Sequence, residues 1–212
     1  METQDHLHQL FEDEEIVRKI KTRLPYLFQL AGLESSRAGK LGMQVGSVRE
    51  SVLVALLIYK FGKENVETEI PITEPEVDVR VFGEPISIKT ITGKGFSGVK
   101  ISWTVDTPKA REFQESYEPT CGILFAQINW DDDGWLYYIP IHVQKRLLEQ
   151  IGAENYVKLP KLATNPRGVE FGKGVVKRLV MDEQTMRMKI NWRKSEINFN
   201  PYKRWLDLWR ED

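Results

Sequence analysis

The sequence predicts an α/β fold in which a central mixed β-sheet is flanked by helices. Apolar residues recur near the helical period in some segments, whereas others alternate between apolar and polar residues as half-buried strands do. No internal repeat and no long Pro/Gly/Ser-rich linker divides the 212 residues, so we expect a single domain. The predicted helices cover 10–32, 47–61, 106–117 and 141–152, and the predicted strands cover 67–70, 77–82, 86–91, 99–104, 121–130 and 135–141.

The composition excludes several classes of protein. With 41% hydrophobic and 29% charged residues the chain is ordinary for a soluble protein. Its one cysteine, Cys121, excludes an internal disulfide and a multi-cysteine zinc site, and three histidines leave little for another transition metal. A metal held by oxygen ligands is the compatible choice. No apolar run approaches about 18 residues and the N-terminus is acidic and polar, so we predict a cytoplasmic protein without a membrane span or signal peptide.

The first predicted helical region spans residues 10–32. Its apolar residues recur near the helical period, and Pro25 predicts a kink or a break between two helices. The acidic cluster 12–15 suits the first turn of a helix, where carboxylates interact favourably with the helix dipole. We interpret this region as structural and compatible with a dimer contact.

A glycine-rich loop is predicted at 35–46. Glycines allow a backbone to approach nucleic acid closely, and Arg37, Lys40 and Gln44 lie in the same segment. Met43 could act as an apolar wedge between base pairs. The alternative is an ordinary connection in which Met43 fills a gap in the core.

The helix predicted at 47–61 begins with a capping box formed by Ser47 and Glu50, and Gly62 ends it. Capping gives Glu50 a complete structural role.

An acid and a lysine are brought together by the predicted hairpin of 77–82 and 86–91. Side chains at alternate positions share a face, so Asp78 lies on the polar face of one strand and Ser87 and Lys89 on that of the other. A reversal at Gly83-Glu84 predicts that Asp78 faces Lys89. This pairing suits metal-assisted phosphodiester hydrolysis, and the alternative is a solvated hairpin face with one cross-strand ion pair.

Two further polar segments lie between predicted strands. The loop 92–98 follows the hairpin, and its Lys94 is well placed to contact a substrate backbone. Asp131-Asp132-Asp133-Gly134 could suggest a metal site, but adjacent side chains diverge and Asp-Gly is an ordinary hairpin turn. We therefore predict a turn.

The C-terminal third is basic. Between Lys158 and Arg204 there are 12 basic and 4 acidic residues, which indicates a phosphate-binding face or, alternatively, a solvated lysine-rich exterior. Within it, 165–174 is typical of a recognition loop, with Asn165, Arg167 and Lys173 beside glycines, and the alternative is a solvated surface loop. The regular α/β pattern fades beyond residue 152, and the late tryptophans Trp192, Trp205 and Trp209 are predicted to pack the tail onto the domain.

The hairpin carries a family resemblance. Asp78, Ser87 and Lys89, with Glu50 on the preceding helix, resemble the signature of the PD-(D/E)xK nucleases, in which Pro-Asp is followed on the next strand by an acid, any residue and Lys. The sequence departs from this signature twice. Glu-Val separates Pro75 from Asp78, and Ser87 stands where the second acid usually sits, as in some restriction endonucleases that recruit a carboxylate from elsewhere.

Over most of the chain, notably 12–42 and 46–92, the sequence also resembles the ThaI-type restriction endonucleases. The resemblance implies a restriction-endonuclease-like catalytic core at about 47–152 and a basic DNA-binding segment at about 153–212. It implies a type II enzyme, a homodimer that cuts double-stranded DNA at a short palindrome with Mg²⁺, with CGCG cut to blunt ends as the expected target.

The same resemblance assigns roles to individual residues. Asp78 and Glu50 would bind the metal, Lys89 would orient the nucleophile, and Ser87 would occupy the position of the displaced acid. The predicted DNA-binding residues are Arg37, Lys40, Met43, Gln44, Lys94, Asn165, Arg167 and Lys173. Two alternatives remain: a structure-specific nuclease such as a junction resolvase, and a DNA-binding protein without catalysis.

Overall fold

The computed structural model describes residues 6–37, 43–71, 73–74, 76–102, 106–160 and 168–211, with the backbone alone at 36–37, 43–45 and 102. The helices are α1 (Gln9–Glu12), α2 (Glu14–Arg37), α3 (Met43–Phe61), α4 (Thr107–Glu115), α5 (Ile141–Ile151), α6 (Ala153–Tyr156), α7 (Lys173–Met181) and α8 (Lys203–Leu208). The strands are β1 (Val66–Glu67), β2 (Val79–Val81), β3 (Glu84–Thr92), β4 (Val99–Ser102), β5 (Gly122–Ile128), β6 (Asp133–Ile139), β7 (Val157–Lys158), β8 (Val169–Phe171) and β9 (Met186–Asn191).

The main sheet is mixed, as predicted. Its strands lie in the order β1-β2-β3-β5-β6-β9, and β3 pairs parallel with β5 while the other neighbours are antiparallel. The predicted strand 99–104 does not join it. Its described part, β4, pairs instead with β8 in a smaller sheet ordered β4-β8-β7.

The two faces of the main sheet support separate cores. Alternation along β3 and β5 sends Ile88 and Leu124 toward α1, α2 and α3, and sends Phe125 toward the smaller sheet and α7. Each large aliphatic side chain fully buried in this way contributes about 1.5–3 kcal/mol. The sheet is therefore covered by helices on both sides. The hairpin of β2 and β3 lies near the edge of the sheet that β1 forms.

The N-terminal helices divide at Asp13 rather than at Pro25. Oδ1 of Asp13 accepts hydrogen bonds from the backbone N–H groups of Glu15 (3.0 Å) and Ile16 (3.1 Å), which satisfies free donors at the start of α2. α2 then continues through Pro25 without a break. The predicted break between two helices at Pro25 is wrong.

Helix α3 begins earlier than predicted. It starts at Met43, so Ser47 and Glu50 lie inside the helix and form no capping box. Much of the predicted loop 35–46 is also helical, because α2 extends to Arg37. The predicted end is confirmed: Gly62 follows α3 with φ 88°, a conformation that favours glycine.

The C-terminal third is more regular than predicted. It supplies α7 and also β9, which is hydrogen-bonded to β6 in the main sheet. The predicted recognition loop is partly structured, since β8 and the start of α7 occupy its later residues. Trp192 is fully buried against Phe28, as predicted, but Trp205 and Trp209 are 57% and 88% exposed, so their predicted packing is wrong.

The acidic turn reverses the chain two residues earlier than predicted, because Asp133 and Gly134 already belong to β6. Its three aspartates pair with separate lysines. Asp131 contacts Lys194 at 3.5 Å, Asp132 contacts Lys94 at 2.9 Å, and Asp133 contacts Lys189 at 2.6 Å. None of the helices within the described ranges is long and apolar enough to cross a membrane.

Candidate active site

The β2–β3 hairpin turns through Phe82 and Gly83, whose φ angles are 50° and 82°. Positive φ at both central residues is the geometry of a tight type I′ hairpin turn. Val79 therefore pairs with Ile86, and Val81 with Glu84. The predicted register is wrong by two residues, but a shift of two leaves each side chain on its predicted face.

The carboxylate of Asp78 accepts three hydrogen bonds. Its Oδ2 accepts hydrogen bonds from the backbone N–H of Ile88 (2.6 Å), from Nζ of Lys89 (3.1 Å) and from Oγ of Ser87 (3.2 Å). The predicted contact between Asp78 and Lys89 is thus present, and the Lys89 side chain is only 19% exposed. Because all three contacts use Oδ2, they do not require Oδ1, which can serve as a ligand.

Glu50 reaches the same place from α3, which packs against β3. Burial raises the pKa of its carboxyl above the usual value, the charge of Lys89 lowers it, and the charge of Asp78 raises it again. Both hairpin charges therefore act on Glu50. The structure places Asp78, Ser87 and Lys89 in direct contact and Glu50 close enough for the charges of Asp78 and Lys89 to act on it.

A further acid, Glu76, was not singled out from the sequence. It is 9% exposed, and its Oε2 accepts a hydrogen bond from Oγ1 of Thr120 at 3.1 Å. Burial raises the pKa of Glu76, and the hydroxyl of Thr120 and the charge of Lys89 oppose the shift. Its position two residues before Asp78 was the available signal, since alternate residues of an extended chain share a face.

The donor set suits a hard divalent cation. Carboxylate oxygens of Asp78 and Glu50 are the ligands that Mg²⁺ prefers. Burial, with a smaller contribution from the charge of Asp78, raises the pKa of Glu50, a cost that a bound cation would relieve. Within the described ranges no group of three or more His, Cys, Asp or Glu side chains could hold a metal. Water and substrate phosphate oxygens would therefore complete the coordination, as is usual for Mg²⁺.

The arrangement can perform phosphodiester hydrolysis. A bound divalent cation would supply Lewis-acid stabilisation of the phosphate and of its developing charge. Lys89, fixed by Asp78, can orient an attacking water or stabilise negative charge on the phosphate. The hydroxyl of Ser87 donates a hydrogen bond to Asp78, and Glu50 would supply the second carboxylate ligand of a bound cation.

The predicted DNA-binding residues are placed as follows. Lys94 is 80% exposed and pairs with Asp132, which raises the pKa of its ammonium group. Lys173 is the exposed first residue of α7. The side chains of Arg37, Met43 and Gln44 and the whole of Lys40, Asn165 and Arg167 lie outside the described residues.

The family model described as restriction endonuclease ThaI matches residues 10–211 of the chain. The chain belongs to the ThaI restriction endonuclease family. It is also similar to a solved structure described as a restriction endonuclease in complex with substrate DNA, with 56% sequence identity, a TM-score of 0.88, and coverage of 97% of this chain and 99% of the other. No curated protein matches the sequence.

Membership of the ThaI family makes this chain a site-specific nuclease, and its mixed sheet with flanking helices is the restriction-endonuclease fold. Restriction endonucleases in general depend on divalent metal ions. The cluster of Glu50, Asp78 and Lys89 suits metal-dependent phosphodiester hydrolysis, and this is the chemistry of restriction endonucleases.

Proposed function

We propose that the protein is a type II restriction endonuclease that hydrolyses both strands of double-stranded DNA at a short palindrome with Mg²⁺. The observation that carries this proposal is the contact of Lys89 with Asp78, with Glu50 within electrostatic reach of both. The 56% identical relative described with substrate DNA supports the choice of DNA as substrate.

In this proposal Asp78 and Glu50 bind Mg²⁺, and Lys89 orients the nucleophilic water. Ser87 contributes its hydroxyl to Asp78 rather than acting as a metal ligand. The family resemblance supports CGCG as the target and blunt ends as the product. A location in the cytoplasm follows from the proposed substrate.

The DNA-binding surface in this proposal includes Arg37, Lys40, Met43, Gln44, Lys94, Asn165, Arg167 and Lys173. The charge surplus of the C-terminal third supports it only in part. Lys158, Lys189, Lys194 and Lys203 each pair with a carboxylate. The exposed Lys173 lacks a carboxylate partner within the described ranges, which makes it the better candidate for a phosphate contact.

A homodimer is the economical way to cut a palindrome, whose two strands are equivalent. An apolar groove of about 490 Å³ lies between α2 and α3, and its lining includes Leu24, Leu27, Val52, Leu56 and Tyr59. Tyr59 is 59% exposed although it is large and apolar. This surface supports a contact with a second copy of the chain.

Digestion of linear plasmid DNA with the purified protein and Mg²⁺ tests the function. The proposal predicts discrete bands whose boundaries map to CGCG sites and that disappear when EDTA is added. A junction resolvase would leave linear duplex uncut and cleave a four-way junction. A DNA-binding protein without catalysis would cut neither substrate.

A further inference from the structure

Arg49 lies next to Glu50 on α3 and is held by three neighbouring elements. Its Nη1 donates a hydrogen bond to Oγ1 of Thr92 at 2.9 Å, and its guanidinium carbon lies 5.9 Å from the ring centre of Trp130. A Cβ atom added to Gly32 of α2 would lie 3.9 Å from Nη2. The guanidinium is thus fixed between α2, α3 and the ends of β3 and β5.

No anion accompanies this cation in the described part of the chain. Among the residues that the structure describes, Nε of Arg49 is buried without a hydrogen-bond partner, and no carboxylate forms a salt bridge with the side chain. Adjacent helix residues do not face each other, so the neighbouring Glu50 points elsewhere.

The other half-buried arginines in the described part of the chain are paired, and so is an exposed lysine that shares an aromatic neighbour with Arg49. Arg80 contacts both Glu67 and Glu74, and Arg146 contacts Asp182 at 2.7 Å. Lys194 lies over the same Trp130 ring as Arg49, at 5.9 Å, and has Asp131 at 3.5 Å. A half-buried charge without a partner costs free energy, so an uncompensated guanidinium indicates an anion that arrives from outside.

The position of Arg49 identifies the class of that anion. Thr92 follows Lys89 by three residues on β3, a separation of about 10 Å along a strand. The contact between Arg49 and Thr92 is exposed to solvent, so one edge of the guanidinium is accessible. A planar guanidinium held at the end of the strand that carries Lys89, and adjacent in sequence to Glu50, suits a second phosphate of the same nucleic acid.

We propose that Arg49 is a phosphate-binding positioning residue that holds a DNA backbone phosphate flanking the scissile one. This inference rests on the proposed function, since it takes duplex DNA as the substrate. Thr92 and Trp130 fix the guanidinium before DNA arrives, which reduces the entropy lost on binding. The contact carries no sequence information, because phosphates are common to every duplex.

The test compares Arg49→Met, Arg49→Lys and the control Arg146→Met, which removes an equal charge that already has its carboxylate. Binding is measured with Ca²⁺ in place of Mg²⁺, at several salt concentrations, on a labelled duplex containing CGCG and on the same duplex with that site scrambled. Thermal unfolding of each free protein is recorded in parallel.

Arg49→Met should weaken binding to both duplexes by about tenfold and reduce the salt dependence, log Kd against log salt, by about 0.9. Its melting temperature should stay the same or rise, because an unpaired buried charge is removed. Arg49→Lys should keep the salt dependence but lose part of the affinity. Arg146→Met should melt earlier and bind DNA as the wild type does.

Wild-type affinity and salt dependence in Arg49→Met would overturn the inference while leaving the proposed function intact. A drop in melting temperature as large as that of Arg146→Met, with normal binding, would assign Arg49 a purely structural role. Failure of the wild type to bind or cut any duplex would instead reject the proposed function, and this inference with it.

Discussion

Nζ of Lys89 lies 3.1 Å from Oδ2 of Asp78, although the two residues are not directly opposite each other in the hairpin. Extending the observed register by one residue places Asp78 opposite Ser87, so Lys89 reaches back diagonally along the strand. The backbone N–H of Ile88 donates to the same oxygen at 2.6 Å. Asp78 thereby fixes the lysine while Oδ1 can still serve as a ligand.

Glu50 should make cleavage dependent on pH. Burial raises the pKa of its carboxyl, and only the ionised form is a good metal ligand. Cleavage at limiting Mg²⁺ should therefore fall as the pH decreases through that raised pKa, and excess Mg²⁺ should shift the loss to lower pH. Glu50→Gln should lower cleavage by at least about a hundredfold. A pH profile of cleavage rate at two Mg²⁺ concentrations measures this.

The stability of the metal-free protein should fall as the pH rises, whereas cleavage activity should fall as the pH decreases. With a raised pKa in the folded state, Glu50 binds more protons folded than unfolded between its ordinary and its raised pKa. Stability should therefore fall as the pH rises through that window, and Glu50→Gln should remove this loss. Equal pH dependence of unfolding in both proteins would contradict the burial of Glu50.

Lys173 tests the basic surface. Reversing its charge with Lys173→Glu should weaken binding to any duplex by about tenfold and reduce the salt dependence, since a phosphate contact becomes a repulsion. Lys145→Glu on α5 is the matched control, because Lys145 is also exposed but lies outside the basic segment. Binding curves at several salt concentrations measure the difference. Equal effects of the two substitutions would place the DNA surface elsewhere.

Ala55 tests the proposed dimer. It lines the groove between α2 and α3 and is exposed, so Ala55→Glu should leave the monomer folded while placing a charge in an apolar contact. Sedimentation should show a dimer for the wild type and a monomer for the variant. Gln150→Glu, at an exposed site on α5, is the control and should remain dimeric. A variant that sediments as the wild type does would locate the contact on another surface.

The sequence predicted the faces of the hairpin better than its register. Alternation alone puts Asp78 and Lys89 on one face, and any even shift preserves this. The register depends on the turn, which begins at Phe82 rather than Gly83. A bulky residue with positive φ is uncommon, so local propensity favoured the wrong pair.

Helix boundaries and late elements show a similar limit. Ser47 and Glu50 match the capping-box pattern, yet α3 extends back to Met43, since several residue types can begin a helix. For β9 the signal was present, because Met186–Asn191 alternates apolar and polar residues. The exposure of Trp205 and Trp209 could not be predicted, because composition does not specify which surface a tail contacts.

The central claim is that Asp78 and Lys89 form a catalytic centre rather than a structural ion pair. Single-turnover cleavage of a CGCG duplex with Mg²⁺, by the wild type, Lys89→Ala and Asp78→Asn, tests it most directly. Both variants should bind the duplex in Ca²⁺ and melt within a few degrees of the wild type, because a part-exposed ion pair contributes about 1 kcal/mol or less. Their cleavage rates should nevertheless fall by several orders of magnitude, because the nucleophile or the metal is no longer positioned. A cleavage rate near that of the wild type in either variant would contradict the assignment.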